Sequence, residues 1–266
     1  MKSSFAISVH PVPAFNDNYL WVIHNGRHAA VVDPGDATPV IEYLNATGLE
    51  LAAIICTHHH ADHVGGVDHL LDFFNLRGKI PVYGPASECI PSRTQALVEG
   101  DSIVVPSLDL AFEVIDVPGH TAGHIAYFGH GLLFCGDTLF ACGCGRLFEG
   151  TAEQMTASLT KLKRLPPETK VYCAHEYTMA NIKFAEAVEP DNGDLKLRKA
   201  FCAAKRHRNL PTVPSTIHLE LATNPFLRWD QPAVQDAAAR RLGRDIGLDP
   251  QPALVFGAIR EWKNNF

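Results

Sequence analysis

The chain has 266 residues, 46% of them hydrophobic and 20% charged, enough for one large domain or one domain with an appendage, and ordinary for a soluble globular protein. No stretch approaches the roughly 18 apolar residues that a membrane span requires. The net charge of −6 is uneven: residues 1–180 hold 10 Lys and Arg against 19 Asp and Glu, and residues 181–266 hold 13 against 10. So acidic a main body argues against a nucleic-acid partner, while the mildly basic tail suits a small anion.

Residues 5–9, 19–23 and 29–33 are short apolar runs broken by Asn, Asp and Gly, the pattern of strands joined by tight loops. Residues 38–47 predict a short helix, with Thr38 starting it and Gly48 ending it. The continuous apolar run Leu51-Ala52-Ala53-Ile54-Ile55-Cys56 predicts a strand covered on both faces, and residues 63–75 a helix. More strands are expected near 80–83, 102–105, 109–117, 124–129 and 132–135. Thr151 with Gln154 forms a capping box for a helix over 152–164, closed by Pro166-Pro167. A strand at 170–173 and a helix at 178–188 follow. Residues 194–209, 231–242 and 252–263 are then helical in pattern, linked by Pro-containing loops. A boundary near residue 180 divides a mixed α and β domain, two sheets covered by helices, from a small helical domain over 181–266.

Seven cysteines, at 56, 89, 135, 142, 144, 173 and 202, form an odd, scattered set, which reads as small buried hydrophobes in a reducing compartment. Met1–Ile7 shows neither an apolar run nor a small-residue cleavage site. Both observations point to the cytoplasm.

The decisive segment is Thr57-His58-His59-His60-Ala61-Asp62-His63. It follows a buried strand, where loops of layered folds gather active-site residues. Positions two apart point the same way in extended backbone, so His58 and His60 can grip one ion while His59 points elsewhere. Asp62 and His63 fall where the chain turns into a helix and face a second ion. Imidazole and carboxylate together suit zinc, iron or manganese rather than calcium or magnesium. Further ligands must come from afar, and His120, Asp137 and His175 each stand just beyond a predicted strand. A lone His at a strand end is commonly a surface or core residue; three such positions together favour ligation. His124, inside a strand pattern, is read as a core or supporting residue.

The pattern His-x-His-x-Asp-His with a later His, Asp and His resembles the metallo-β-lactamase superfamily. Within it, Cys135-Gly136-Asp137-Thr138-Leu139-Phe140, Gly143-Cys144-Gly145-Arg146, Phe148-Glu149-Gly150-Thr151 and Tyr172-Cys173-Ala174-His175-Glu176-Tyr177-Thr178 resemble the glyoxalase II, or hydroxyacylglutathione hydrolase, family. Similar strings continue to Arg260-Glu261-Trp262-Lys263, so the resemblance covers nearly the whole chain. It implies an α+β fold, a four-layer αββα sandwich, with a small helical C-terminal domain that binds substrate. It implies two divalent ions per chain, zinc before iron or manganese. His58, His60 and His120 would hold one, Asp62, His63 and His175 the other, with Asp137 bridging and Asp33 supporting the site from behind. Arg146 and Tyr177 would meet the substrate near the metals.

The resemblance further implies hydrolysis of S-D-lactoylglutathione to glutathione and D-lactate by a metal-bridging hydroxide that Asp62 orients, in a monomer. Arg260 and Lys263, three apart on one helix face, could clasp the glycine carboxylate of glutathione. Arg146 stands where well-known members carry Lys, and Phe148 where some carry Tyr, which keeps the charge but removes one hydroxyl. A phosphodiesterase of the same superfamily would want a basic groove; a β-lactamase would carry Cys at position 137; a di-iron oxygen-reducing enzyme would carry Glu at position 60. A structural zinc site would be a closed four-ligand cage rich in Cys.

Overall fold

The computed structural model describes residues 7–266. Phe5 and Ala6 of the first expected strand, and Met1–Ala6 of the segment read for a leader, lie outside the described residues. The chain divides into two compact units: one holds the residues up to Asp116 with Gly123–Gly136, the other Val117–Ala122 with Asp137–Phe266.

The first unit begins with β1 (Ser8–Ala14), β2 (Asn18–His24) and β3 (His28–Val32), paired antiparallel in succession. α1 (Ala37–Thr47) then crosses over, so that β4 (Glu50–Ile55) runs parallel to β3, as a crossover helix requires. Its N-cap is Asp36, whose side chain accepts from the Thr38 N–H, and Gly48 closes it in the left-handed conformation. The expected start at Thr38 is therefore one residue late. β4 is buried along its apolar run except at the half-buried Ala52, close to the expected strand covered on both faces.

The single helix expected over 63–75 is two: α2 (Ala61–Val64) and α3 (Val67–Phe73). A Cβ at Gly66 would lie 2.5 Å from the Ala37 nitrogen and 2.6 Å from the Pro34 carbonyl oxygen. The break thus lets two backbones touch. Two further parallel strands, β5 (Val82–Pro85) and β6 (Gln95–Leu97), complete the sheet. Val22, Val31, Val40, Leu44, Ile54 and Leu70 pack between this sheet and its helices. β7 (Ser102–Val105), β8 (Leu110–Asp116), β9 (Ile125–Gly129) and β10 (Leu132–Gly136) form an antiparallel run belonging to a second sheet.

The second unit opens with a two-rung hairpin, β11 (Leu139–Phe140) and β12 (Gly143–Cys144). The Thr151–Gln154 capping box starts α4 (Ala152–Lys163) with both reciprocal bonds formed. β13 (Lys170–Cys173) and β14 (Ser215–Thr216) pair antiparallel. Around them stand α5 (Thr178–Val188), α6 (Gly193–His207), α7 (Ile217–Thr223), α8 (Pro232–Leu242) and α9 (Pro252–Asn264). Among the described residues no helix is long and apolar enough to cross a membrane. All seven cysteines are free and all but Cys89 are buried. Burial pushes the Cys56, Cys144 and Cys202 thiols up, and those of Cys142 and Cys173 to about 12.

Candidate metal centre and substrate-binding hairpin

In the first unit, the loop leaving β4 is organised by Asp33, at the end of β3. Its carboxylate accepts from the Thr57 N–H at 2.7 Å and the Thr57 hydroxyl at 2.7 Å, and Nδ1 of His63 lies 3.0 Å away. Because the Thr57 hydroxyl spends its hydrogen on Asp33, it can only accept from Nδ1 of His58, 3.0 Å away. The same logic places a hydrogen on Nδ1 of His63. Both rings therefore keep a lone pair at Nε2, the tautomer a ligand needs. Nε2 of His58 lies 3.1 Å from Nδ1 of His60, and Nε2 of His63 lies 3.6 Å from Oδ2 of Asp62. Asn18 donates to the same Asp62 oxygen at 3.0 Å. His124 is buried and stacks on His58 with ring centroids 4.5 Å apart.

In the second unit, the two oxygens of Asp137 face different histidines: Oδ2 is 3.4 Å from Nε2 of His120, and Oδ1 is 3.3 Å from Nε2 of His175. Nδ1 of His120 donates to the Arg146 carbonyl at 2.8 Å, again leaving Nε2 as the acceptor. Tyr177 stacks on His175, centroids 4.7 Å apart and planes 4° from parallel. The exposed Phe148 meets the His120 ring edge-on at 5.2 Å. Gly145 must be glycine, since a Cβ there would lie 2.0 Å from the Asp137 carbonyl oxygen.

These spacings test whether the residues fit an ion. Tetrahedral zinc with bonds of about 2.0–2.1 Å holds neighbouring ligand atoms about 3.3 Å apart. The four donor pairs, at 3.1, 3.6, 3.4 and 3.3 Å, lie on either side of that figure. Nitrogen and carboxylate donors with tautomers fixed from behind suit a divalent transition metal, and the His/Asp clusters of this chain are of metal-binding type.

The hairpin β11–β12 is wired into the C-terminal helices by side chains. Asn224 donates to the carbonyls of Phe140 (3.1 Å) and Gly143 (2.9 Å), Asn181 to that of Ala141 (2.9 Å), and Arg260 to that of Cys144 (3.0 Å). Glu220 accepts from the Cys142 N–H at 2.8 Å and pairs with Arg198 at 2.5 Å, both side chains almost fully buried. Arg260 is buried, and Lys263, one turn on, donates to Asn181. Loss of solvent and then the Arg260 guanidinium lower the Lys263 ammonium to about 8. Arg146, just past the hairpin, is exposed.

Sequence reasoning missed Asn18, Glu88, Asn181 and Glu220, and gave Asn224 no role although Asn224-Pro225-Phe226 is one of the strings that carry the resemblance. Each acts through a partner distant in the chain.

A model of the metallo-β-lactamase superfamily matches residues 15–175, and a model of the hydroxyacylglutathione hydrolase C-terminus matches residues 176–266. The hydroxyacylglutathione hydrolase of Nitrosomonas eutropha is 55% identical over 260 residues, 98% of this chain and 99% of its own length. That of Nitrosomonas europaea is 56% identical over 98% of this chain and 97% of its own. Among solved structures, ETHE1 from Myxococcus xanthus shares the fold, with a TM-score of 0.63 at 24% identity over 97% of this chain and 98% of its own. TTHA1623, solved in a di-iron-bound form, has a TM-score of 0.58 at 27% identity over 82% of this chain and all of its own length to within rounding, 100%. The α+β sandwich expected from the motifs is thus the fold found. This chain belongs to the hydroxyacylglutathione hydrolase family of the metallo-β-lactamase superfamily.

Proposed function

We propose that this chain hydrolyses S-D-lactoylglutathione to glutathione and D-lactate, the second step of methylglyoxal detoxification, using two divalent ions. The observation that carries the hydrolytic reading is Asp137, whose two oxygens each face a different histidine; the relatives' name supplies the substrate class. One ion is assigned to His58, His60 and His120, the other to Asp62, His63 and His175, with Asp137 common to both. When bound, such ions lower the pKa of coordinated water from 15.7 to about 7 and polarise a carbonyl oxygen. Imidazole and carboxylate donors suit zinc first, with iron or manganese as the other candidates.

The protein's own groups do the rest. Asp33 holds His63 in its ligand tautomer, and Asn18 fixes Asp62, which orients the nucleophile. The leaving thiolate is a weak base, so no strong general acid is required. In this reading residues 1–180 carry the metal chemistry and residues 181–266 bind glutathione, with Arg260 and Lys263 offering paired positive charge to its glycine carboxylate. Arg146 and Tyr177 contact the substrate nearer the metals. Seven free cysteines agree with work in the reducing cytoplasm, and the chain is taken to act as a monomer.

The test is hydrolysis of S-D-lactoylglutathione by metal-replete protein, followed as loss of thioester absorbance beside a phosphodiester reporter. Chelator-sensitive thioester turnover is expected; none by protein holding two ions would overturn the assignment.

Lys263 adds a pH signature. Its folded value, about 8, lies below the ordinary 10.5, so its charge burdens the folded protein below pH 8, and that burden lifts as pH rises from 8 towards 10.5. In the folded protein the charge that receives the carboxylate is itself lost as pH rises through about 8. Relative to Lys263→Arg, wild-type kcat/KM should therefore fall as pH rises through about 8, with KM rather than kcat carrying the change.

A further inference from the structure

Glu88 lies in the turn after β5, is buried, and belongs to no motif. One oxygen, Oε2, accepts from the backbone N–H of His59 at 2.6 Å and lies 3.0 Å from Nδ1 of its ring. The other, Oε1, accepts from the backbone N–H of Gly123 at 2.9 Å. The turn is clamped in its own right by Arg93, which donates to the carbonyls of Glu88, at 2.7 Å, and Pro85. A single carboxylate thus ties the middle of the His58–His60 loop to the turn before His124, the residue stacked on His58.

The Gly123 contact is close by construction. A Cβ on Gly123 would lie 2.2 Å from Oγ of Ser87 and 2.7 Å from Cγ of Glu88, so only glycine lets its N–H approach this carboxylate. Bonds from backbone N–H groups to a buried carboxylate are charge-assisted and directional. At His59 such a bond fixes the peptide between two ligands and turns the intervening side chain towards Glu88. Across that peptide, His58 and His60 present their nitrogens 3.1 Å apart.

We propose that Glu88 is a positioning residue for the metal site, holding the His58–His60 loop by the backbone of His59 and registering it against the Gly123 turn. The proposal rests on the metal-binding reading above. Glu88 acts in this role through the main chain, by the N–H of His59, so the His59 ring is dispensable where the Glu88 carboxylate is not.

The experiment measures zinc affinity by chelator competition, and the visible spectrum of the cobalt-loaded protein, for wild type, Glu88→Gln, Glu88→Ala and His59→Ala. Circular dichroism of the metal-free proteins reports folding separately. Loss of a group that orients a ligand costs roughly 10–100-fold in metal affinity. Glu88→Ala should lose that much and change the cobalt spectrum. Glu88→Gln, which keeps one accepting oxygen, should fall between, and remains the informative variant if Glu88→Ala fails to fold. His59→Ala should stay within about two-fold of wild type, since the backbone bond survives. Wild-type affinity and spectrum in folded Glu88→Gln and Glu88→Ala would overturn the proposal. So would an equal loss in His59→Ala, which would assign the effect to the ring. Failure of the wild type to take up two ions would instead sink the metal reading itself.

Discussion

Asp137→Ala will abolish thioester hydrolysis and lower the metal content of the purified protein. Both oxygens of this carboxylate are engaged, at 3.4 Å from Nε2 of His120 and 3.3 Å from Nε2 of His175, so its removal leaves two imidazole lone pairs without the anion placed between them. The loss in kcat should exceed the roughly 100-fold that marks removal of a group merely supporting a ligand, because here the ligand itself is gone. Asp137→Asn separates charge from shape: the amide keeps one oxygen, cannot offer negative charge to two cations, and should recover little activity. Metal per chain by elemental analysis, with kcat at saturating zinc, checks both. An Asp137→Ala protein that keeps two ions and a tenth of wild-type kcat would refute the shared-ligand role.

The second large effect is on stability. Arg198 and Glu220 form an ion pair with almost no exposure. Arg198 also donates to the Thr223 hydroxyl at 2.6 Å and to Ser215 at 3.0 Å, while Glu220 accepts from Asn224 at 3.0 Å. Removing one partner of such a pair strands the other charge in a low-dielectric interior. Glu220→Ala should cost about 3–5 kcal/mol, which in a chain of this size lowers Tm by on the order of 10 °C. The double variant Arg198→Met with Glu220→Leu should be markedly less destabilised than Glu220→Ala, since an apolar pair of similar volume strands no charge. Folded Glu220→Ala protein should also show a raised KM, because the Cys142 N–H loses its acceptor and the hairpin before Arg146 loosens. Thermal melts of the three proteins decide the matter; a Tm within 2 °C of wild type in Glu220→Ala would contradict it.

Both halves of the molecule were legible where local rules decide the structure and opaque where remote contacts do. Local rules were sufficient for α4, where the Thr151–Gln154 pair announces its own start, and for β4, whose apolar run leaves it no solvent face. They failed at Gly65 and Gly66, where a helical pattern is broken by a backbone approach from Pro34 and Ala37, some 30 residues away in the chain. They also missed α7, seven residues long, and the two-residue strands of the hairpin, which are held by remote side chains rather than by periodicity. Likewise, the metal-type residues carry their chemistry in their names and cluster in one short run, whereas Glu88 and Glu220 are ordinary acids until the fold gives each a main-chain N–H to receive.

The cysteines have a chemical consequence. Electrophilic aldehydes and alkylating agents attack the thiolate, not the thiol. With Cys142 and Cys173 held to about 12, only about one molecule in 10⁵ carries either thiolate at pH 7, and both residues are buried. Cys89 alone presents an exposed sulfur. Covalent wear at sulfur would therefore collect at one surface position, Cys89.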